Sequence, residues 1–213
     1  MFDFNSDLAQ EFGIYKNQNA YEIAKYMSSV NISAGFHAGD PMCIKEALLF
    51  AKNNNLAVGA HIGYPDILGF GKRTMELTAD ETEALVLYQV GAVASYAKTM
   101  GLAIEHVRCH GAMNDKLSSD KDFAKSVALA VKKINPWLNL YIQNPDMKKF
   151  LEEEVQINCS YEILFDNNMS IRQLREMEIT PETVHFNEIT NARRAYDVIR
   201  PAPVNYNRVA NQV

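Results

Sequence analysis

The sequence predicts an α/β fold in which successive βα units surround a mainly parallel sheet. Two observations carry this. Short apolar segments of period two alternate with longer helical patterns, and the candidate polar residues gather just after the short segments rather than after the helices. The opening "FDFNSDL", residues 2 to 8, sets Phe2, Phe4 and Leu8 on one face and Asp3, Asn5 and Asp7 on the other. Further strands are expected in "SSVNISAG" (28 to 35), "LAVGAHI" (56 to 62), "AIEHVRC" (103 to 109), "LNLYIQ" (138 to 143) and "SYEILF" (160 to 165).

Helices fill the intervals. Thr78 and Glu81 have capping-box spacing before a mostly apolar stretch that Gly101 stops, which predicts a helix from about 79 to 100. After Ser119, Phe123, Val127, Ala130, Val131 and Ile134 form one stripe that ends before Pro136. Trp137 is expected to pack at a strand entry, and Glu152, Glu153 and Glu154 to form a solvated helix face.

The 213 residues suffice for one domain with a substantial core, 1 to 213, with 201 to 213 read as a poorly ordered polar tail. With 21 basic against 26 acidic residues and no basic stripe, nucleic acid is a poor partner. No run approaches the roughly 18 apolar residues of a membrane span. Three widely spaced cysteines, Cys43, Cys109 and Cys159, suggest neither a disulfide framework nor a thiolate zinc site. A cytoplasmic location is expected.

Four constellations could carry chemistry. Asp3, Asn5 and Asp7 would be costly on an interior strand face without partners, which points to a site; the plainer alternative puts Asp3 and Asn5 at an open barrel end and makes Asp7 a turn cap. "AGFHAGD" delivers His37 and Asp40 to a strand's carboxyl end, where barrel active sites lie, although Asp40 before Pro41 also suits a helix N-cap. "GAHIGYPDILGFGKRT" adds His61, then Tyr64, Lys72 and Arg73 in a glycine-rich loop that could hold a phosphate or carboxylate, or simply be solvated. It is not a Walker loop. In "EHVRCHGAMND", His106, Arg108 and His110 share a face. Three histidines, His37, His61 and His110, thus reach one rim on consecutive strands, which independent core histidines would not explain. All ten glycines lie at or before Gly111, so the second half reads as scaffold.

Together "DFNSDLAQEFG", "NISAGFHAGDP", "GAHIGYPDILGFGKR", "LYQVGA" and "HVRCHGAM" resemble the LamB/YcsF family, in its order and over about residues 1 to 115. The resemblance implies a seven-stranded (β/α) barrel of the deacetylase-like kind. It also implies the work of its characterised members, the A subunits of 5-oxoprolinase: ATP-dependent opening of 5-oxo-L-proline to L-glutamate with subunits B and C, Mg accompanying the nucleotide. By the family pattern Asp7, His37, His61 and His110 are the catalytic set. Asp7 or His37 would be the base, His61 and His110 polarising or proton-donating groups, and Arg73 an anion clamp, with Asn5, Asp40, Tyr64 and Lys72 also toward substrate. The same Asp and His set holding a divalent metal, as a metal-dependent amide or polysaccharide hydrolase would, is a second reading. A non-catalytic partner subunit on the same scaffold is a third.

The sequence also departs from the family. Ala9-Gln10 replaces Gly-Glu, and Arg108 and Cys109 replace Lys and Pro. Asp166 matches a later motif whose arginine is Asn167 here. Nothing after Val204 resembles the family's last strand, and "TVHF" at 183 to 186 lies too early. Either the last βα element is missing or its sequence has diverged beyond recognition; a barrel incomplete at its C-terminal end would leave an edge for a partner subunit or a second copy in a homo-oligomer to cover.

Overall fold

The computed structural model describes residues 2–15, 17–165 and 171–186; Asp166, Asn167, Val204 and the tail from 201 to 213 lie outside them. Seven parallel strands close into a barrel in chain order: β1 (Asp3–Leu8), β2 (Ser29–Ser33), β3 (Ala57–Ile62), β4 (Ile104–Cys109), β5 (Asn139–Ile142), β6 (Asn158–Leu164) and β7 (Thr183–Phe186). Between them run α1 (Gln18–Ala24), α2 (Pro41–Asn53), α3 (Ala79–Thr99), α4 (Gly111–Ser119), α5 (Lys121–Ile134), α6 (Pro145–Glu154) and α7 (Ile171–Arg175). None of the described helices is long and apolar enough to cross a membrane.

The barrel is not left incomplete at its C-terminal end. "TVHF" is the closing strand, pairing with both β6 and β1, with Asn5 opposite His185. Its period-two pattern explains why four residues suffice. Val184 and Phe186 join Phe4, Ile23, Met27, Ile163, Phe165 and Leu174 in an apolar cluster, while Thr183 and His185 hydrogen-bond to Asn5 inside the barrel. Phe186 stacks on Phe165 at 4.5 Å and meets Phe4 edge-on at 5.6 Å, so aromatic packing seals the seam.

The helices cover the strands through a second, larger apolar cluster that includes Val30, Ile32, Val58, Ala60, Val107, Leu140 and the stripe of α5. The Thr78–Glu81 capping box opens α3 as its spacing predicts. Asp120, one residue beyond Ser119, caps α5. Trp137 departs from expectation: it is 81% exposed and packs at no strand entry.

The barrel interior is polar instead of the branched apolar layers usual in such barrels. Asp3 Oδ2 accepts from Ser29 Oγ at 2.8 Å, Tyr141 OH at 2.8 Å and Thr183 Oγ1 at 3.0 Å. Above it, His106 lies flat against Tyr141 at 4.3 Å and meets Asn31 Oδ1 through Nε2 at 2.7 Å. These inward polar groups are answered by partners from other strands, which is what makes so much buried polarity tolerable. The result is a rigid polar floor under the rim.

Candidate active site

At the carboxyl end of the barrel, one carboxylate and four imidazoles meet. Asp7 is delivered by the end of β1, His61 by β3, His110 by the end of β4, His37 by the β2–α2 loop and His185 by β7. His61 Nε2 lies 3.2 Å from Asp7 Oδ2 and 3.1 Å from His110 Nδ1. The His37 ring is stacked on His110 at 4.1 Å and meets His61 edge-on at 5.0 Å. His37, His61 and His110 each bring a ring nitrogen within 4.8 Å of the others, a group that could hold a metal ion.

Local backbone geometry explains the "GFHAGD" stretch. At Gly39, φ is +89° and an added Cβ would sit 2.9 Å from the carbonyl oxygens of Ala9 and Ser33, so only glycine lets the loop fold back this tightly. Gly71 does the same from the opposite side: with φ +65°, its missing Cβ leaves room for the His37 side chain 2.7 Å away. The glycine-rich loop after β3 therefore lies on the histidines. Its Phe70 ring covers His110 at 4.7 Å, and the Phe70 carbonyl oxygen faces His110 Nε2 at 2.8 Å.

Below the rim, a second tier holds Asp7 in place. Asn31 Nδ2 donates to Asp7 Oδ1 at 2.9 Å, and Gln10 Nε2 donates to Oδ2 at 3.0 Å. Arg108 Nη1 is 3.6 Å from Asp7 Oδ1 while its Nε donates to both oxygens of Glu162 at 2.9 Å. Glu162 also accepts from Asn5 and Gln143. Burial raises the Asp7 carboxyl, but His61, His185 and Arg108 outweigh it and hold the pKa well below the usual carboxylate range. Burial acts oppositely on the imidazoles. It is the largest cause that pushes His37 well below its ordinary value, His110 down to about 3 and His185 down to about 4. The arrangement is an ionised carboxylate among imidazoles of which His37, His110 and His185 are held toward the neutral form by burial, suited to taking and passing a proton.

Of the residues singled out from sequence, Asp7, His37, His61 and His110 come together here, and Asn5 stands directly beneath. Asp40 does not point inward. Its Oδ1 caps α2 through Met42 N at 2.8 Å and Cys43 N at 2.9 Å, and Oδ2 accepts from Gly13 N at 2.9 Å, so both oxygens serve the backbone. These bonds, that to Cys43 first, lower its pKa to about 2. Tyr64 is also displaced: it is fully buried, with its ring 6.4 Å from Phe123 on α5, in the layer between barrel and helices. Past the end of β3 strand alternation no longer fixes which way a side chain turns. Arg73 Nε lies 2.9 and 3.0 Å from the two oxygens of buried Asp66, which makes the pair a clasp within the loop. Lys72 is exposed, 5.8 Å from the Phe70 ring and so one ring removed from the histidines.

His185 and Glu162 were not singled out by sequence reasoning. The signal for both was alternation, since Thr183/His185 and Glu162 fall on the inward positions of their strands, opposite Asn5 and beside Arg108.

The sequence model of the LamB/YcsF family matches residues 2–205. This chain belongs to the LamB/YcsF family. It is 38% identical over 164 residues to the 5-oxoprolinase A subunit of Pyrococcus horikoshii, covering 77% of this chain and 64% of that protein. To the 5-oxoprolinase A subunit of Alkaliphilus metalliredigens it is 39% identical over 166 residues, with the same two coverages, 77% and 64%. The matched region thus spans a little under two thirds of these LamB/YcsF relatives. The crystal structure of the lactam utilization protein from Thermus thermophilus superposes with a TM-score of 0.85 at 29% identity, over 93% of this chain and 94% of that one. The seven-stranded barrel is therefore shared within the family.

Proposed function

We propose that this chain is the hydrolytic A subunit of an ATP-dependent 5-oxoprolinase that opens the lactam of 5-oxo-L-proline to L-glutamate in the cytoplasm. The observation that carries the reading is the contact of ionised Asp7 with His61 and of His61 with His110 at the barrel rim. The names of its relatives, 5-oxoprolinase A subunits and a lactam utilization protein, supply the substrate class.

The chemistry needs two parts. A lactam carbonyl is a poor electrophile, and transfer of the ATP γ-phosphoryl group to its oxygen, with Mg and with partner subunits B and C, supplies a leaving group. Two waters are consumed: the later one hydrolyses the acyl phosphate that ring opening leaves, releasing phosphate, and before it the other attacks the ring carbon so that the C–N bond opens. In that step the Asp7–His61 pair takes the water proton, and His110, in contact with His61, returns a proton to the leaving nitrogen. Arg108, fixed by Glu162, keeps Asp7 ionised for that task.

The test is glutamate release from 5-oxoproline and ATP by this chain combined with subunits B and C, beside an Asp7→Asn variant. Release that requires this chain and falls by at least about 100-fold in the variant supports the reading. No release, with the same partners active alongside the corresponding subunit of a relative, overturns it in favour of a non-catalytic scaffold.

A further inference from the structure

The hydrogen bonds around the rim fix where each imidazole carries its proton. His110 Nε2 faces the Phe70 carbonyl oxygen at 2.8 Å, so it is the N–H donor and Nδ1 is left with a lone pair. His61 Nδ1 faces the Arg108 carbonyl oxygen at 3.3 Å, which leaves the lone pair on Nε2. His185 is oriented through Asn5. Glu162 accepts only, so Asn5 must turn its Nδ2 toward it and its Oδ1 toward His185 Nδ1, 2.7 Å away. That donor assignment leaves His185 Nε2 as an acceptor 3.6 Å from Asp7 Oδ2.

The consequence is an excess of electron pairs. His61 Nε2, His110 Nδ1 and Asp7 Oδ2 form two contacts of 3.1 and 3.2 Å with no proton assigned to either. His37, only 1% exposed, adds a ring nitrogen to the group, and its Nδ1 has no hydrogen-bond partner. A proton on His61 serves two of these acceptors at most. A small cation between the three histidines answers their lone pairs together.

We propose that His37, His61 and His110 bind one divalent transition-metal cation of the zinc class, with Asp7 Oδ2 beside them at 3.2 Å from His61 Nε2. Ligand bonds of about 2.0–2.1 Å in a tetrahedron place neighbouring donor atoms about 3.3 Å apart, close to the two contacts observed. The nitrogen-rich donor set suits zinc, cobalt, nickel or ferrous iron and is a poor match for magnesium, so the site is distinct from the one that would accompany ATP. Outer acceptors that lock His61 and His110 in the ligating tautomer are the arrangement that metal sites use to orient imidazoles. Bound here, the cation takes up the lone pairs of His61 and His110 and supplies Lewis acidity toward an amide oxygen or a water, so that in the loaded site Asp7 and the water itself carry the proton in place of those two imidazoles. The inference rests on reading this cluster as the hydrolytic site, but its test does not use turnover.

Tag-free protein is stripped with a chelator, confirmed folded by circular dichroism, and titrated with Zn²⁺ by calorimetry and with Co²⁺ by visible absorption. About one equivalent per chain is expected, with the intense d–d bands of four- or five-coordinate cobalt. His61→Ala and His110→Ala should each weaken uptake by more than about 100-fold. A folded wild type that takes up neither metal overturns the proposal, as does uptake undiminished in both variants. Glutamate release is followed separately on stripped and reloaded protein. Uptake without release leaves the metal site standing and counts against the lactam reading; release by stripped protein that takes up no metal does the reverse.

Discussion

His185 and Asn5, 180 residues apart, are register partners across the closing seam and are joined Nδ1 to Oδ1 at 2.7 Å. Asn5 is bonded on every side: it donates to Thr183 and Glu162 and accepts from His185 and Asn31. Replacing His185 with Ala removes one buried hydrogen bond and leaves a hole in the polar floor. A loss of about 1–3 kcal/mol is expected in urea unfolding. His185→Asn, which keeps a donor near Asn5, should recover part of it.

Glu162→Gln tests the support beneath Asp7. The buried Arg108 guanidinium would lose its paired charge, and breaking a buried pair from one side costs about 3–5 kcal/mol. Denaturant unfolding should show that loss.

Ala9 adopts φ +58°, a left-handed backbone that an L side chain enters at a cost of about 1–2 kcal/mol. Ala9→Gly should therefore raise stability by roughly 1 kcal/mol once the entropy glycine adds to the unfolded chain is subtracted. An unchanged or lower urea midpoint would contradict it.

Acid should destabilise the fold through its buried histidines. Burial in the barrel is the main cause that holds His106 down at about 4, against about 6.5 when unfolded. Between those values the unfolded chain binds a proton that the folded one refuses, so stability is full above about pH 6.5 and declines as pH falls toward about 4. His185, also near 4, adds to the slope. Urea midpoints measured across this window should fall with acid, and His106→Gln should remove about one proton from the slope.

Much of this architecture was legible because the alternation of Phe4 and Leu8 against Asn5 and Asp7 announces a strand with a polar inner face. The same signal failed at β7. Half of its four residues point into a polar interior, so no apolar run marks it, and its motif lacks the Gly-Asp that would have drawn notice. At the site, the three histidines were found by their common place after consecutive strands. Asp40, whose place before Pro41 also suits a helix N-cap, caps α2, while Tyr64 and Arg73 have neighbours in sequence near the rim and contacts with Phe123 and Asp66.

Closure between the first strand and the last described one also sets a schedule for synthesis. At about 5–20 residues per second, β1 waits on the order of 10–35 s before β7 leaves the ribosome. Throughout that interval its outer edge has no strand to meet. Asp3, Asn5 and Asp7 then have a role that precedes any chemistry. As a polar face on an unpaired strand, they keep the nascent chain from adding to a neighbour's sheet until its own last strand arrives.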